Sequence, residues 1–310
     1  MSDLGRYAAP QQLVDIGGGR RINVCLSGAG SPTVILAPGL GGTTLSWAGT
    51  QRRLSETTRV LAYDRAAFGF SDAGPLPRTT DAIVGDLRAV LHALGLKPPY
   101  ILAGHSAGSY DVRLFAFRHP DEVAGLVLVD PSSEEQTDRF AQVSEGFAKQ
   151  NEVGLALYRR CGEAAAAGTL ALSNPEYADC FKLGYPNLPG AITDAYHALR
   201  LSPALWSAWA SELECFGGES AAQLRAARHP LGAMPLLVLT AANIDVGPDN
   251  PPGMQARLRS VWFGLHAELA ALSSRGARRM IDAGHNIQLE QPQLVADAIA
   301  EVIALAAAGA

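Results

Sequence analysis

The sequence predicts an α/β fold in which a mostly parallel sheet carries helices on both faces and a helical cap is inserted after a core strand. Two observations carry this. Apolar runs of strand length alternate with helical patterns along the first 131 and last 78 or so of the 310 residues. That alternation stops between Ser132 and about Gly232, where helical stretches broken by turn residues take over. The core is therefore expected over residues 1–131 and 233–310 and the cap over 132–232. The length suits one large α/β domain with a lid.

In chain order, strands are expected at Arg21 to Leu26, Thr33 to Ala37 and Arg59 to Tyr63. Thr79 to Leu94 reads as an amphipathic helix, with Ile83, Leu87, Val90, Leu91 and Leu94 at helical spacing and Gly95 as its stop. A strand at Tyr100 to Ala103 leads into a helix at Tyr110 to Arg118, and Val123 to Val129 is the next strand. Within the cap, helices are interrupted at Asn174-Pro175, at Tyr185 to Gly190 and at Ser202-Pro203. Its aromatic residues Tyr158, Tyr177, Phe181, Tyr185, Tyr196, Trp206, Trp209 and Phe216 either line a substrate pocket or form the cap's own core. The core resumes with a strand at Leu236 to Thr240, a helix at Met254 to Leu272, a strand at Ala277 to Ile281 and a closing helix from about Gln293 to Ala307.

The junction after Tyr100 to Ala103 is Gly104-His105-Ser106-Ala107-Gly108, the G-x-S-x-G pattern between strand and helix. A serine at such a turn is held in a strained backbone conformation, and glycines beside it let strand and helix approach closely. Ser106 is the expected nucleophile. A serine hydroxyl needs a base to take its proton and an acid to orient that base. Among seven histidines, His285 follows the late segment Arg279 to Gly284 and precedes the final helix, which makes it the expected base. His105 is fixed beside the serine, His119 lies in a turn after the elbow helix, and His92, His197, His229 and His266 lack evident partners; none of these six is expected to be catalytic.

Two aspartates follow strands between the serine and the histidine. Asp245, in the loop after Leu236 to Thr240, is the preferred acid on its place in the order serine, acid, histidine. Asp130 ends Leu126 to Val129 and is the alternative; its competing role is to cap the segment beginning at Pro131. Asp249 lies in a Gly/Pro-rich turn, and Asp282 is very close to His285 in the chain. Charge developing on a carbonyl oxygen requires N–H donors. The amide of Ala107 is one expected donor. The amide of Leu40, in the loop Pro38-Gly39-Leu40-Gly41-Gly42 after an early strand, is the other.

These segments, together with Tyr63-Asp64-Arg65-Ala66-Ala67-Phe68-Gly69-Phe70-Ser71-Asp72 and Gly284-His285-Asn286, resemble the α/β-hydrolase superfamily in its esterase and lipase-like branch. The resemblance spans almost the whole chain. It implies the α/β-hydrolase fold and a cofactor-independent serine hydrolase, with carboxylic esters as the first substrate class. Lactonase, amidase or peptidase, carbon–carbon bond hydrolase and perhydrolase activity, or a slow-turnover ligand receptor, are the alternatives. Epoxide and haloalkane hydrolases of the fold use a carboxylate where this chain has Ser106. Many relatives carry His-Gly where Pro38-Gly39 stands here, and a glycine at Ala67.

A net charge of −5 without a basic cluster argues against nucleic acid or an anionic membrane as principal partner. No stretch is long and clean enough to span a bilayer, and Met1 to Pro10 lacks a signal peptide's hydrophobic region, so the expectation is cytoplasmic unless a leader has been removed. Cys25, Cys161, Cys180 and Cys215 show no metal-ligand spacing. Cys161 and Cys180 bracket one cap segment, where a disulfide, implying an oxidising compartment, competes with free buried thiols. The oligomeric state is left open.

Overall fold

A computed structural model describes residues 4–185, 187–244 and 251–309. Eight strands, β1 (Gln12–Asp15), β2 (Arg21–Ser27), β3 (Thr33–Ala37), β4 (Arg59–Tyr63), β5 (Tyr100–His105), β6 (Val123–Val129), β7 (Leu236–Ala241) and β8 (Gly276–Ile281), form one sheet in the order β1-β2-β4-β3-β5-β6-β7-β8. Only β2 runs antiparallel to its neighbours. The central strands β3, β5 and β7 are buried along their whole length, which is why they read as continuous apolar runs rather than alternating ones. The edge strand β8 is largely exposed and carries Arg278 and Arg279, charges that discourage pairing with another chain. Strand β1 escaped the sequence reading because only Leu13 and Val14 of its four residues are apolar. A glycine turn with positive φ at Gly17, Gly18 and Gly19 returns it to β2.

Helices α1 (Ala48–Leu54), α2 (Thr80–Ala93) and α3 (Gly108–Arg118) follow β3, β4 and β5. After β6 come α4 (Gln136–Val143), α5 (Glu145–Ala166), α6 (Gly190–Leu199), α7 (Pro203–Phe216) and α8 (Glu219–Ala227), and the chain closes with α9 (Pro252–Ala270), α10 (Ile287–Glu290) and α11 (Pro292–Ala307). Successive side chains of a strand point to opposite faces. Accordingly Ile35 and Leu102 pack with Leu87 of α2 and Phe115 of α3 in one cluster, while Val34, Leu36 and Ile101 pack with Ile299 and Val302 of α11 in the other. Thr79 caps α2, its side chain accepting from the Ala82 N–H.

The five helices between β6 and β7 form a helical insertion. It holds a small cluster of its own around Cys161, Leu170, Phe181, Leu205 and Trp206. A disulfide between Cys161 and Cys180, with Cα atoms 5.8 Å apart, ties α5 to the turn Pro175–Phe181. Helix α8 returns to lie on α2 and α3, and α4 lies on α9.

Candidate active site

The elbow is built by strand-to-helix contact. Ser106 has φ 50°, a left-handed value, at the junction of β5 and α3. A Cβ on Gly104 would meet the Gly108 carbonyl oxygen at 2.6 Å, and one on Gly108 would meet the Pro38 oxygen at 2.5 Å. Only glycine fits either place, and the result is a half-buried hydroxyl raised at the end of the sheet.

His285, in the loop after β8, spans from that hydroxyl to a carboxylate. Its Nε2 lies 2.9 Å from Ser106 Oγ and its Nδ1 lies 2.6 Å from Oδ2 of Asp130. The network assigns the imidazole proton to Nδ1, leaving Nε2 to accept from the serine. Asp130 directly follows β6 with φ 40° and is fully buried. Its second oxygen, Oδ1, accepts from the Ala241 N–H at 2.9 Å and from Trp262 Nε1 at 3.1 Å. Both carboxylate oxygens are therefore hydrogen-bonded, which offsets the cost of burying the group.

Among the described residues, the carboxylate that meets His285 is that of the alternative acid, Asp130, and not the preferred Asp245. Asp245 lies outside the described residues, and the Nδ1 of His285 is already held by Asp130. The physical reason lies in the sheet order: β6 pairs directly with β5, so its end stands beside the serine turn, whereas β7 is one strand further away. Asp130 does not cap the segment after it; its carboxylate faces His285, Ala241 and Trp262. Asp249 also lies outside the described residues, and Asp282 accepts from Asn243 Nδ2 at 2.7 Å instead.

Two of the histidines not expected to be catalytic support this chain from behind. His105 Nε2 donates to the backbone oxygen of His285 at 3.0 Å, and burial, with His285 nearby, pushes its imidazole down to about 3. It is a neutral brace for the loop. His266 Nε2 donates to the Pro131 oxygen at 2.8 Å and its Nδ1 accepts from Thr240 Oγ1 at 2.9 Å, with burial pushing it down to about 4. Its ring packs against Trp262 at 4.6 Å between centroids and so steadies the indole that donates to Asp130.

The loop Pro38 to Gly42 is fastened from two sides. Arg65 donates from Nη1 to the Pro38 oxygen at 2.6 Å and from Nη2 to the Gly39 oxygen at 2.9 Å, while a fork of Nε and Nη2 meets both oxygens of Glu212 at 2.8 and 2.9 Å. Both side chains are buried, and Glu212 comes from α7 of the insertion. Next in the chain, buried Asp64 accepts from the Thr44 N–H at 2.7 Å, from Asn23 Nδ2 at 2.7 Å and from the Phe70 N–H at 3.1 Å. The positive φ of Gly69, whose Cβ would fall 2.1 Å from Asp64, makes room for that carboxylate. Neither the Leu40 N–H nor the Ala107 N–H has an acceptor among the described residues, and both residues flank the same small recess beside Arg65 and Asp111. Asp111 of α3 is buried there; burial first, with Glu212 adding, holds its carboxyl up to about 8 against Arg65 and Arg78.

A cavity of about 450 Å³ opens over Ser106 and His285, bounded by Leu40 and Gly41 on the core side and by Tyr185, Arg200 and Trp209 from the insertion. Gln288, buried at its edge, has neither amide nitrogen nor amide oxygen paired. Of the eight insertion aromatics, Tyr185 and Trp209 line this cavity; Phe181 and Trp206 are insertion core, and Phe216 stacks on Tyr110 at 4.8 Å. Among the described residues no three His, Cys, Asp or Glu side chains converge as a metal site, and no helix is long and apolar enough to cross a membrane. Arg65, Glu212, Trp262 and His266 were missed from the sequence. For Arg65 a signal existed, two adjacent charges directly after an apolar strand; for Glu212 and Trp262, on helices remote in the chain, there was none.

A family model described as alpha/beta hydrolase fold matches residues 32–151. Among solved structures, a mutant of a provisionally named epoxide hydrolase from Pseudomonas aeruginosa superposes with a TM-score of 0.71 at 20% identity, covering 96% of this chain and 97% of that one. A thermophilic esterase from Thermogutta terrifontis superposes with a TM-score of 0.59 at 21% identity, covering 96% and 99%. In sequence, an AB hydrolase superfamily protein of Gibberella zeae is 36% identical over 117 residues, 36% of each chain. The chain spans 18%, 42% and 36% of the length of the first three curated relatives it matches.

Proposed function

We propose that the chain, whose residues 32–151 match a family model described as alpha/beta hydrolase fold, is a carboxylic ester hydrolase working through an acyl-enzyme on Ser106. The observation that carries this reading is the bridge of His285 from Ser106 Oγ at 2.9 Å to Asp130 at 2.6 Å. Ser106 attacks the ester carbonyl as its proton passes to Nε2 of His285. The free amides of Leu40 and Ala107 receive the oxyanion, where preorganised donors in a water-poor site count most. Collapse expels the alcohol, which takes the proton from His285. Water then attacks the acyl-serine, its proton passing through the same nitrogen, and the carboxylic acid leaves. Asp130 holds the imidazolium that forms at each step.

In this reading the insertion is the lid of the site, with Tyr185 and Trp209 as its roof. The Cys161–Cys180 disulfide favours an oxidising compartment over the cytoplasmic location suggested by the N-terminal residues.

The test is hydrolysis of p-nitrophenyl esters of graded acyl length by the wild type and by Ser106→Ala. Turnover in the wild type, lowered by about 10⁴-fold or more in the variant, is expected. Equal turnover in both proteins rejects Ser106 as nucleophile, and none in either rejects the ester reading.

A further inference from the structure

The cavity over Ser106 has a one-sided charge. The charged or titratable side chains lining it are Lys182, Arg200, His105, His285 and Tyr185, and no Asp or Glu stands among its lining residues. Lys182 is already spoken for, its Nζ lying 2.6 Å from Asp179. Arg200 is not. Its guanidinium makes a single hydrogen bond, from Nη2 to the Lys182 backbone oxygen at 3.3 Å, and no carboxylate among the described residues reaches it.

The same guanidinium is held in place without an anion. Its Cζ sits 4.4 Å from the centroid of Trp209 and 5.3 Å from that of Trp206, and the two indoles stack on each other at 5.5 Å. Cation–π contact of this kind fixes a guanidinium in plane while leaving its edge donors free. The Trp206 indole N–H donates to the Arg200 backbone oxygen at 2.7 Å, which anchors the residue itself. Trp209 Nε1 is a buried donor without an acceptor. Its ring lies against the oxyanion loop so closely that a Cβ on Gly41 would meet it at 2.3 Å, which places the stacked cation beside the loop carrying Leu40.

A half-buried cation stacked on two indoles, its edge donors open to a cavity that no acid lines, is a ready partner for an anion. Burial pushes the Arg200 guanidinium down to about 10, with Tyr158 and Tyr185 acting the other way, so it remains charged at neutral pH.

We infer that Arg200, backed by Trp209, is a subsite for a carboxylate carried by the substrate, so that the preferred substrates are half-esters of dicarboxylic acids or similar anionic esters. Trp209 lies against Gly41, so the carboxylate would sit in the same cavity as Ser106, on the side of the Pro38 to Gly42 loop. One free guanidinium, planar and forked, suits a monoanionic carboxylate better than a dianion. The inference rests on the ester hydrolase reading for its chemistry, but not for its binding.

The experiment compares mono-p-nitrophenyl glutarate with its neutral analogue p-nitrophenyl valerate, after subtraction of spontaneous hydrolysis. The wild type is expected to favour the glutarate by about 10- to 100-fold in kcat/KM, the range of a charge-assisted hydrogen bond. Arg200→Gln should lower that ratio by about 10-fold or more, and Arg200→Lys, which keeps the charge but not the stacked fork, should fall between the two. A wild-type ratio near one, or a ratio unchanged in Arg200→Gln, overturns the subsite. If neither ester is turned over, the hydrolase reading has failed and the subsite is read by calorimetry. Glutarate binding that Arg200→Gln abolishes supports it, and no binding by the wild type overturns it. Should Arg200→Gln not fold, glutarate and glutaramide are compared on the wild type, where equal affinity overturns the subsite and a glutarate preference of about 10-fold supports it.

Discussion

The sheet core and the helical insertion hold their parts by different physics. In the core, Ser106, Asp130 and the brace His105 are fixed by backbone: a glycine-tight elbow, a strand end one register from the next, and main-chain donors and acceptors at 2.7 to 3.1 Å. The insertion is held by side chains: a disulfide and an apolar cluster of its own, Phe140, Ile192, Tyr196, Ala221 and Leu224 buried in the two clusters that flank the sheet, and buried ion pairs that cross to the core at Arg65–Glu212 and Arg113–Glu134. A backbone frame gives way only if the strand does, whereas each tie is lost with a single side chain. The proposed chemistry accordingly belongs to the sheet, and the walls that choose the substrate belong to the insertion.

The comparison is tested most severely at the acid. Asp130→Asn should lower kcat by about 10⁴-fold with little change in folding, because its geometry is backbone-made. Asp245→Asn should change kcat by less than about tenfold. Steady-state kinetics of both variants on one ester decide it, and the reverse ranking would return the acid to the Asp245 loop.

A tie should fail differently. Glu212→Gln leaves the buried Arg65 without its carboxylate, at a cost of about 3 to 5 kcal/mol, and loosens the carbonyls of Pro38 and Gly39 that Arg65 holds. Urea unfolding should show the loss of stability and kinetics a lower kcat. A variant as stable and as active as the wild type would mean that the insertion is fastened elsewhere.

Glu134 gives the comparison a pH axis. Burial opposes its ionisation, but Arg113 at 2.5 Å and Arg228 at 2.8 Å win and hold its carboxyl down to about 2 from the ordinary 4.5. A carboxyl lowered on folding contributes stability that is complete above the unfolded value and is lost as pH falls from about 4.5 to about 2, about 3 kcal/mol in all. Urea midpoints at neutral pH and near pH 3 should converge for wild type and Glu134→Gln on the acid side. Parallel curves would remove Glu134 from the acid transition.

The smallest effect on chemistry is expected from the disulfide. Replacing Cys161 and Cys180 by alanine opens a loop with a sequence separation of 19, worth roughly 3 kcal/mol in the chain-entropy account. That loss should fall on the insertion, seen as earlier proteolysis between α5 and α6, while ester turnover by the remaining native protein stays within about threefold. Loss of the whole fold would show that core and insertion unfold as one.

Much of the fold was legible because its signals are local. The central strands bury both faces and so appear as unbroken apolar runs, α2 shows its stripe and its stop at Gly95, and the elbow requires glycine on either side of Ser106 within five consecutive residues. The approach of His285 to Ser106 was legible from strand order, since both stand directly after strands at the same end of the sheet. Strand β1 was not, because four residues with two apolar side chains carry too little pattern.

What only the tertiary structure decided are choices between chemically equal candidates and contacts between remote segments. Asp130 and Asp245 both follow apolar strands between the serine and the histidine, and nothing local separates them; the pairing of β6 with β5 does. Glu212 and Trp262 are ordinary helix residues until α7 meets Arg65 and α9 meets Asp130, and Arg200 is an ordinary surface cation until Trp206 and Trp209 hold it at the wall of the cavity over the serine. By itself the sequence determined which reactive groups the protein carries and on which strand ends, because those depend on neighbours in the chain. Which of them meet, and which charge is left facing the cavity, depends on neighbours in space.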